Sequence, residues 1–137
     1  MTTDEYVELH AHSNFSFQEG ASTIEELVAR AVEVGHPALA LTDHDNLCGA
    51  MRFARKAKRV GLRPITGAEV SIAAQYVDSS SDAHHPPTHL TVLATSPEGY
   101  SNLCNLLSFS HYFGDRRSPE LDPRLLPEHA KGLIALS

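Results

Sequence analysis

Short apolar runs, each delivering an imidazole or a carboxylate at or just past its end, recur along this chain and limit the folds open to it. The segments are Glu8-Leu9-His10-Ala11-His12-Ser13, Leu41-Thr42-Asp43-His44-Asp45-Asn46 and Thr66-Gly67-Ala68-Glu69-Val70. Runs of this length read as buried β-strands. In sheets and barrels that alternate strands with helices, reactive side chains gather at the carboxyl ends of strands, so three such ends can meet at one point. Convergent imidazoles and carboxylates form metal sites.

The rest of the chain alternates in the same way. Tyr6 to His12 reads as a strand. Ser22-Thr23-Ile24-Glu25 has the form of a capping box for a helix with Ile24, Leu27, Val28 and Ala31 on one face, closed by Gly35. Ala38-Leu39-Ala40-Leu41 is a strand. A basic helix follows, with Asp45 and Asn46 as candidate caps and Leu47, Ala50, Met51, Ala54 and Ala57 as its apolar stripe. Leu62 to Val70 extends again, with Pro64 near its start. Residues 73–87, rich in Ser, Asp, His and Pro, read as a loop or insertion. His89 to Ala94 is a strand, and Ser96-Pro97 starts a helix carrying Tyr100, Leu103, Cys104 and Leu107. After an irregular stretch from Gly114 to Glu128, Gly132 to Ser137 forms a last strand. A closed barrel of this kind takes about 250 residues, and the 137 present supply little more than half of one. The reading is an α/β domain that forms the N-terminal part of a barrel, with a small open sheet as the alternative.

Composition narrows the function. Seventeen acidic against eleven basic residues give a net charge of −6, the wrong sign for gripping nucleic acid by an overall field. Arg52, Arg55, Lys56, Lys58, Arg59 and Arg63 are concentrated in one segment, but opposite an apolar stripe they read as a solvated helix face. No apolar run approaches the ~20 residues of a membrane helix, and the acidic N-terminus is unlike a secretory signal. A cytoplasmic location without membrane contact is expected. Cys48 and Cys104 lack metal-knuckle or disulfide spacing and read as reduced, mostly buried thiols.

The metal candidates satisfy simple geometry. His10 and His12, two apart on a strand, share a face. Glu19 follows in a loop where Gly20 permits the turn that returns a carboxylate to the site. His44 and Glu69 complete the set, with Asp43 placed to orient His44 from behind. Mixed imidazole and carboxylate ligands suit Zn, Mn or Fe better than Mg. Paired ions of this kind hydrolyse phosphate esters. His36, His111 and His129 read as ordinary core or surface residues, and His84 and His85 as solvated loop residues. His89 opens its strand, so placement at a strand end does not select it.

His-Ala-His-Ser, Thr-Asp-His-Asp-Asn and Gly-Ala-Glu-Val, in this order and spacing, resemble the polymerase and histidinol phosphatase (PHP) domain. Pro37 to His44, Arg63 to Glu69, His89 to Ala94 and Glu98 to Cys104 are similar to the N-terminus of the bacterial DNA polymerase III alpha family. Asn14-Phe15-Ser16-Phe17 followed by Gly20-Ala21-Ser22 looks most like its error-prone, translesion branch. The resemblance implies a distorted seven-stranded β/α (PHP, TIM-like) barrel with two to three metal ions, and His10, His12, Glu19, His44, Glu69 and His89 as ligands. It also implies His10, His12, His44 and Glu69 as the catalytic set. Glu19 stands where the family usually has aspartate. Further family ligands, a Cys or His and then an Asp and a His, fall beyond Ser137. The resemblance also implies a parent polymerase using Mg and acting on DNA, with a proofreading exonuclease subunit or sliding clamp as partners. The activity implied for this domain is phosphoester hydrolysis, in the form of 3′–5′ removal of a misinserted nucleotide. A non-catalytic docking scaffold and a free-standing histidinol-phosphatase-like enzyme are the alternatives. An amidohydrolase also begins with His-X-His, but Thr-Asp-His and Gly-Ala-Glu do not fit its later motifs.

Overall fold

A computed structural model describes residues 6–73, 75 and 88–136. Most of the expected loop at 73–87, with His84 and His85, lies outside the described residues. The first helix, α1 (Ile24–Glu33), starts one residue later than the sequence suggested. Thr23 is its N-cap, accepting from the Glu26 N–H, while the Glu26 carboxylate accepts from the Thr23 N–H at 2.7 Å. The shift follows from packing, because Ile24, Val28 and Ala31 then share the buried face and Glu25 is freed to pair with Arg52 at 2.8 Å. Gly35, at φ 81°, ends the helix in the left-handed region, and the His36 N–H donates to the Ala31 carbonyl at 2.9 Å.

Strand β1 (Ala38–Leu41) is buried throughout. Helix α2 (Ala50–Arg59) buries Ala50, Phe53 and Ala57 and leaves Met51 exposed. The expected stripe is therefore rotated. It omitted Phe53, whose fully buried ring sets the inward face, while Arg52, Arg55, Lys58 and Arg59 point outward as expected. Asp45 and Asn46 do not cap α2, whose N-cap is Gly49. Asn46 Oδ1 accepts the Cys48 N–H in the preceding turn, and the Asp45 side chain turns toward the sheet. Cys48 is exposed, against expectation.

Strands β2 (Arg63–Ile72), β3 (Thr88–Ala94) and β4 (Leu133–Leu136) complete a sheet in the order β1-β2-β3-β4. β1 and β2 pair in parallel, as a crossover through α2 requires. β3 departs from simple alternation, because it is antiparallel to both β2 and β4. The sequence from 73 to 87 carries no apolar helical stripe to serve as a parallel crossover. The expected first strand, Tyr6 to His12, is not a continuous ladder strand. It runs beside β1 through one bridge, Glu8 to Leu39, with Ala40 N–H donating to Glu8 O and Thr42 N–H to Ala11 O. Side chains take the place of further rungs, since Ala11 N–H donates to Thr42 Oγ1 and His10 N–H to Glu8 Oε1.

One apolar cluster joins α1, α2 and β1 through Ile24, Val28, Leu39, Leu41 and Phe53. Another places Leu103, Leu106 and Leu107 of α3 (Pro97–Phe113) against Val70, Ile72 and Val92. The irregular tail returns Leu121 to this second cluster, where its N–H donates to the Ser71 carbonyl.

Candidate metal centre

Glu69 is the hub. It lies within β2, not at its end, because the strand runs on to Ile72 to pair with β3. Its buried carboxylate faces four imidazoles. Oε2 lies 2.5 Å from His10 Nε2 and 3.5 Å from His12 Nε2. Oε1 lies 2.9 Å from His44 Nδ1 and 3.0 Å from His89 Nδ1. Glu19 Oε2 stands 3.6 Å from His12 Nδ1 and 3.8 Å from His44 Nδ1. All six residues expected to be ligands therefore meet at one place. The antiparallel turn of β3 explains His89. It brings the start of β3 beside the end of β2, with His89 in register with Ser71.

The loop from Ser13 to Gly20 carries Glu19 to the site. Its anchor is Asp43, 2 % exposed, which accepts at 2.7 Å from Ser13 N–H, Ser13 Oγ and Ser16 Oγ. Ser16 Oγ in turn accepts the His44 N–H at 2.9 Å. Asp43 thus reaches His44 through Ser16 and the backbone, and its carboxylate is spent on the loop instead of on the ring. Gly20 has a different reason from the one expected. The left-handed residue of the turn is Gln18, at φ 66°, while a Cβ on Gly20 would overlap the Ser13 carbonyl.

Burial pushes the Glu69 carboxyl up, but hydrogen bonds from His44 and His10 and the charges of His12 and His89 outweigh it and hold it below the ordinary carboxylate value. His12 Nε2 is buried without a hydrogen-bond partner. An orphaned ring nitrogen is costly unless something accepts its lone pair. Two sets of ligand atoms, one from His10, His12 and Glu69 and one from His44, Glu69 and His89, each fall within 4.8 Å of one another. These donors fit divalent ions, with Glu69 common to both sets. A cavity of about 280 Å³, lined by His10, Glu69, His89, Thr91 and Leu136, lies beside them.

Of the histidines set aside in the sequence, His36, His111 and His129 are described, and each has its own partner outside this cluster. His36 lies against the Tyr6 ring, His111 Nε2 donates to the Asp45 carbonyl, and His129 Nδ1 to the Leu125 carbonyl. Sequence reasoning missed Asp45 and Ser71, both buried and both beside the His44 ring. The only local signal was an Asp followed by Asn, a pair tolerant of left-handed backbone; Asp45 has φ 51°.

A family profile described as "PHP domain" matches residues 8–137. Error-prone DNA polymerase of Mycobacterium tuberculosis (strain H37Rv) is 48% identical over 93% of this chain and 12% of its own length. The same-named protein of Symbiobacterium thermophilum is 42% identical over 96% of the chain and 12% of its own. DNA polymerase III subunit alpha of Chlamydia trachomatis is 40% identical over 96% and 11%. The chain thus spans about 12% of the length of these relatives. Among solved structures, an amidohydrolase from Chromobacterium violaceum matches with TM-score 0.59 and 31% identity, over 77% of this chain and 33% of that one. A putative metal-dependent phosphoesterase from Bifidobacterium adolescentis shares the fold with TM-score 0.60 at 22% identity, over 81% and 35%.

Proposed function

The chain belongs to the PHP domain family, and on that premise we propose that it is the metal-dependent phosphoesterase domain of a DNA polymerase III alpha-type enzyme, acting on the 3′ end of DNA. The observation that carries this is the Glu69 carboxylate ringed by His10, His12, His44 and His89, with His12 Nε2 buried and without a hydrogen bond. Two or three ions, of Zn, Mn or Fe, would be held by these residues and Glu19. Such ions supply a hydroxide at neutral pH and neutralise charge on the phosphoryl oxygens. The chain's own part is to hold the ligands still. Asp43 fixes the Glu19 loop, β2 and β3 fix Glu69 and His89, and the cavity beside His89 and Thr91 admits the ester.

With a net charge of −6, the domain would meet DNA through the rest of the polymerase, whose Mg-dependent nucleotidyl transfer lies outside this sequence. A cytoplasmic location and contact with an exonuclease subunit or clamp follow from the same reading. Among the described residues, no helix is long and apolar enough to cross a membrane. The test is hydrolysis of a 3′-mismatched primer and of p-nitrophenyl phosphate, with added Mn or Zn, by this chain and by the full-length polymerase that contains it. Metal-dependent cleavage by the longer protein, abolished by His12→Ala, is expected. A metal-loaded full-length protein that cleaves neither substrate would replace this reading with that of a docking scaffold.

A further inference from the structure

Asp45 and Ser71 lie against the Nε2 edge of the His44 ring, while Nδ1 on its other side faces the Glu69 carboxylate. Ser71 Oγ donates its one hydrogen to Asp45 Oδ2 at 2.7 Å, and the Ser71 N–H donates to Asp45 Oδ1 at 2.8 Å. The 3.3 Å contact between Ser71 Oγ and His44 Nε2 is therefore one in which the hydroxyl accepts. Asp45 Oδ2 itself stands 3.0 Å from the same nitrogen. Both polar neighbours of Nε2 are acceptors, so Nε2 carries the hydrogen. Nδ1 is left to meet the Glu69 and Glu19 carboxylates: it donates to Glu69 Oε1 when it carries a hydrogen, and a cation bound between them would take that hydrogen's place, the proton going to solvent, while the Nε2–H stays where Asp45 and Ser71 hold it.

Asp45 is held in place from both sides. Its N–H donates to the Glu69 carbonyl at 2.8 Å, and its carbonyl accepts from His111 Nε2 at 2.7 Å. The left-handed backbone at φ 51° is what turns its side chain inward to the sheet instead of onto the N-terminus of α2. Both Asp45 and Ser71 are buried, so water does not compete for these bonds.

From this geometry we infer that Asp45 and Ser71 are positioning residues that commit His44 to metal ligation through Nδ1. The inference rests on the metal-centre reading above. It assigns a purpose to a buried serine on β2 that ligand spacing does not require, and it gives His111 a supporting role through the Asp45 carbonyl. Outer partners of ligating histidines typically contribute about 10- to 100-fold to metal affinity.

The test uses the whole chain with two probes. With cadmium-113 and nitrogen-15-labelled histidine, one-bond metal coupling is expected at His44 Nδ1, with an Nε2–H slow to exchange. Zinc affinity, measured by chelator competition, is expected to fall about 10- to 100-fold in Ser71→Ala and to stay near the wild-type value in Ser71→Thr, which keeps the hydroxyl. Coupling at Nε2 in the wild type, or equal zinc affinity in a folded Ser71→Ala, overturns the inference alone. No zinc or cadmium bound by the wild type overturns the metal-centre reading beneath it. The coupling is read on the unaltered protein, so an unfolded variant does not shelter the idea.

Discussion

Removing the Asp43 carboxylate by Asp43→Ala should destabilise the domain and loosen its metal centre together. The side chain accepts three hydrogen bonds, from Ser13 N–H, Ser13 Oγ and Ser16 Oγ, and the donors are as buried as the acceptor. Hydrogen bonds to a charged group contribute about 1.5–3 kcal/mol each, and buried donors left without partners cost about 1–3 kcal/mol each. The terms overlap, and the hydroxyls can turn toward other acceptors, so a net loss of about 3–6 kcal/mol is expected. For a chain of this size that lowers the melting temperature by roughly 10–25 °C. Against a usual total of about 5–15 kcal/mol, this is a large share. Urea denaturation followed by circular dichroism measures the stability, and zinc titration of the folded fraction measures the site. The loop also carries Glu19, and Ser16 accepts from the His44 backbone, so metal affinity should fall as well. A loss below about 1 kcal/mol would show that this carboxylate does not hold the loop.

Glu69→Gln should change the acid limb of stability in the metal-free protein. Its folded-state carboxyl is held below the ordinary 4.5, so it stabilises above that value and the contribution disappears as pH falls through the lowered one. Melting scans should show wild type losing stability more steeply on acidification than Glu69→Gln, and parallel curves would refute the point. Gly20→Ala drives a Cβ into the Ser13 carbonyl, and overpacking of this kind typically costs about 1–3 kcal/mol, with weaker zinc binding as Glu19 is displaced. An unchanged melting temperature would argue against that contact. Phe53→Ala should cost about 3–5 kcal/mol in denaturant melts, while Met51→Ala stays within about 0.5 kcal/mol, and equal effects would contradict the orientation of α2.

The sequence reveals most where a residue's role depends on local spacing. Strand β1 and the start of α3 at Ser96-Pro97 follow directly from apolar runs and cap chemistry. His10, His12, His44 and Glu69 are visible as a group because each comes at or just past the end of a short apolar run, although of the four only Glu69 lies in a ladder strand. What local pattern does not carry is pairing direction. His89 joins the site only because β3 runs antiparallel to β2, so a strand's beginning lies at its neighbour's end, and family likeness was needed to find it. The α1 cap moved by one residue because the core chose the register through Ile24. Asp45 looked like a helix cap because its alternative partner, Ser71, is 26 residues away and brought near only by the sheet.

Whether these imidazoles and carboxylates hold metal is decided by an anomalous scattering map of crystals grown with Zn or Mn. Anomalous peaks are expected within reach of His10, His12 and Glu69 and of His44, Glu69 and His89, with the first peak lost in His12→Ala. Crystals with no peak at this cluster under saturating metal, and a His12→Ala variant indistinguishable from wild type, would contradict metal binding there.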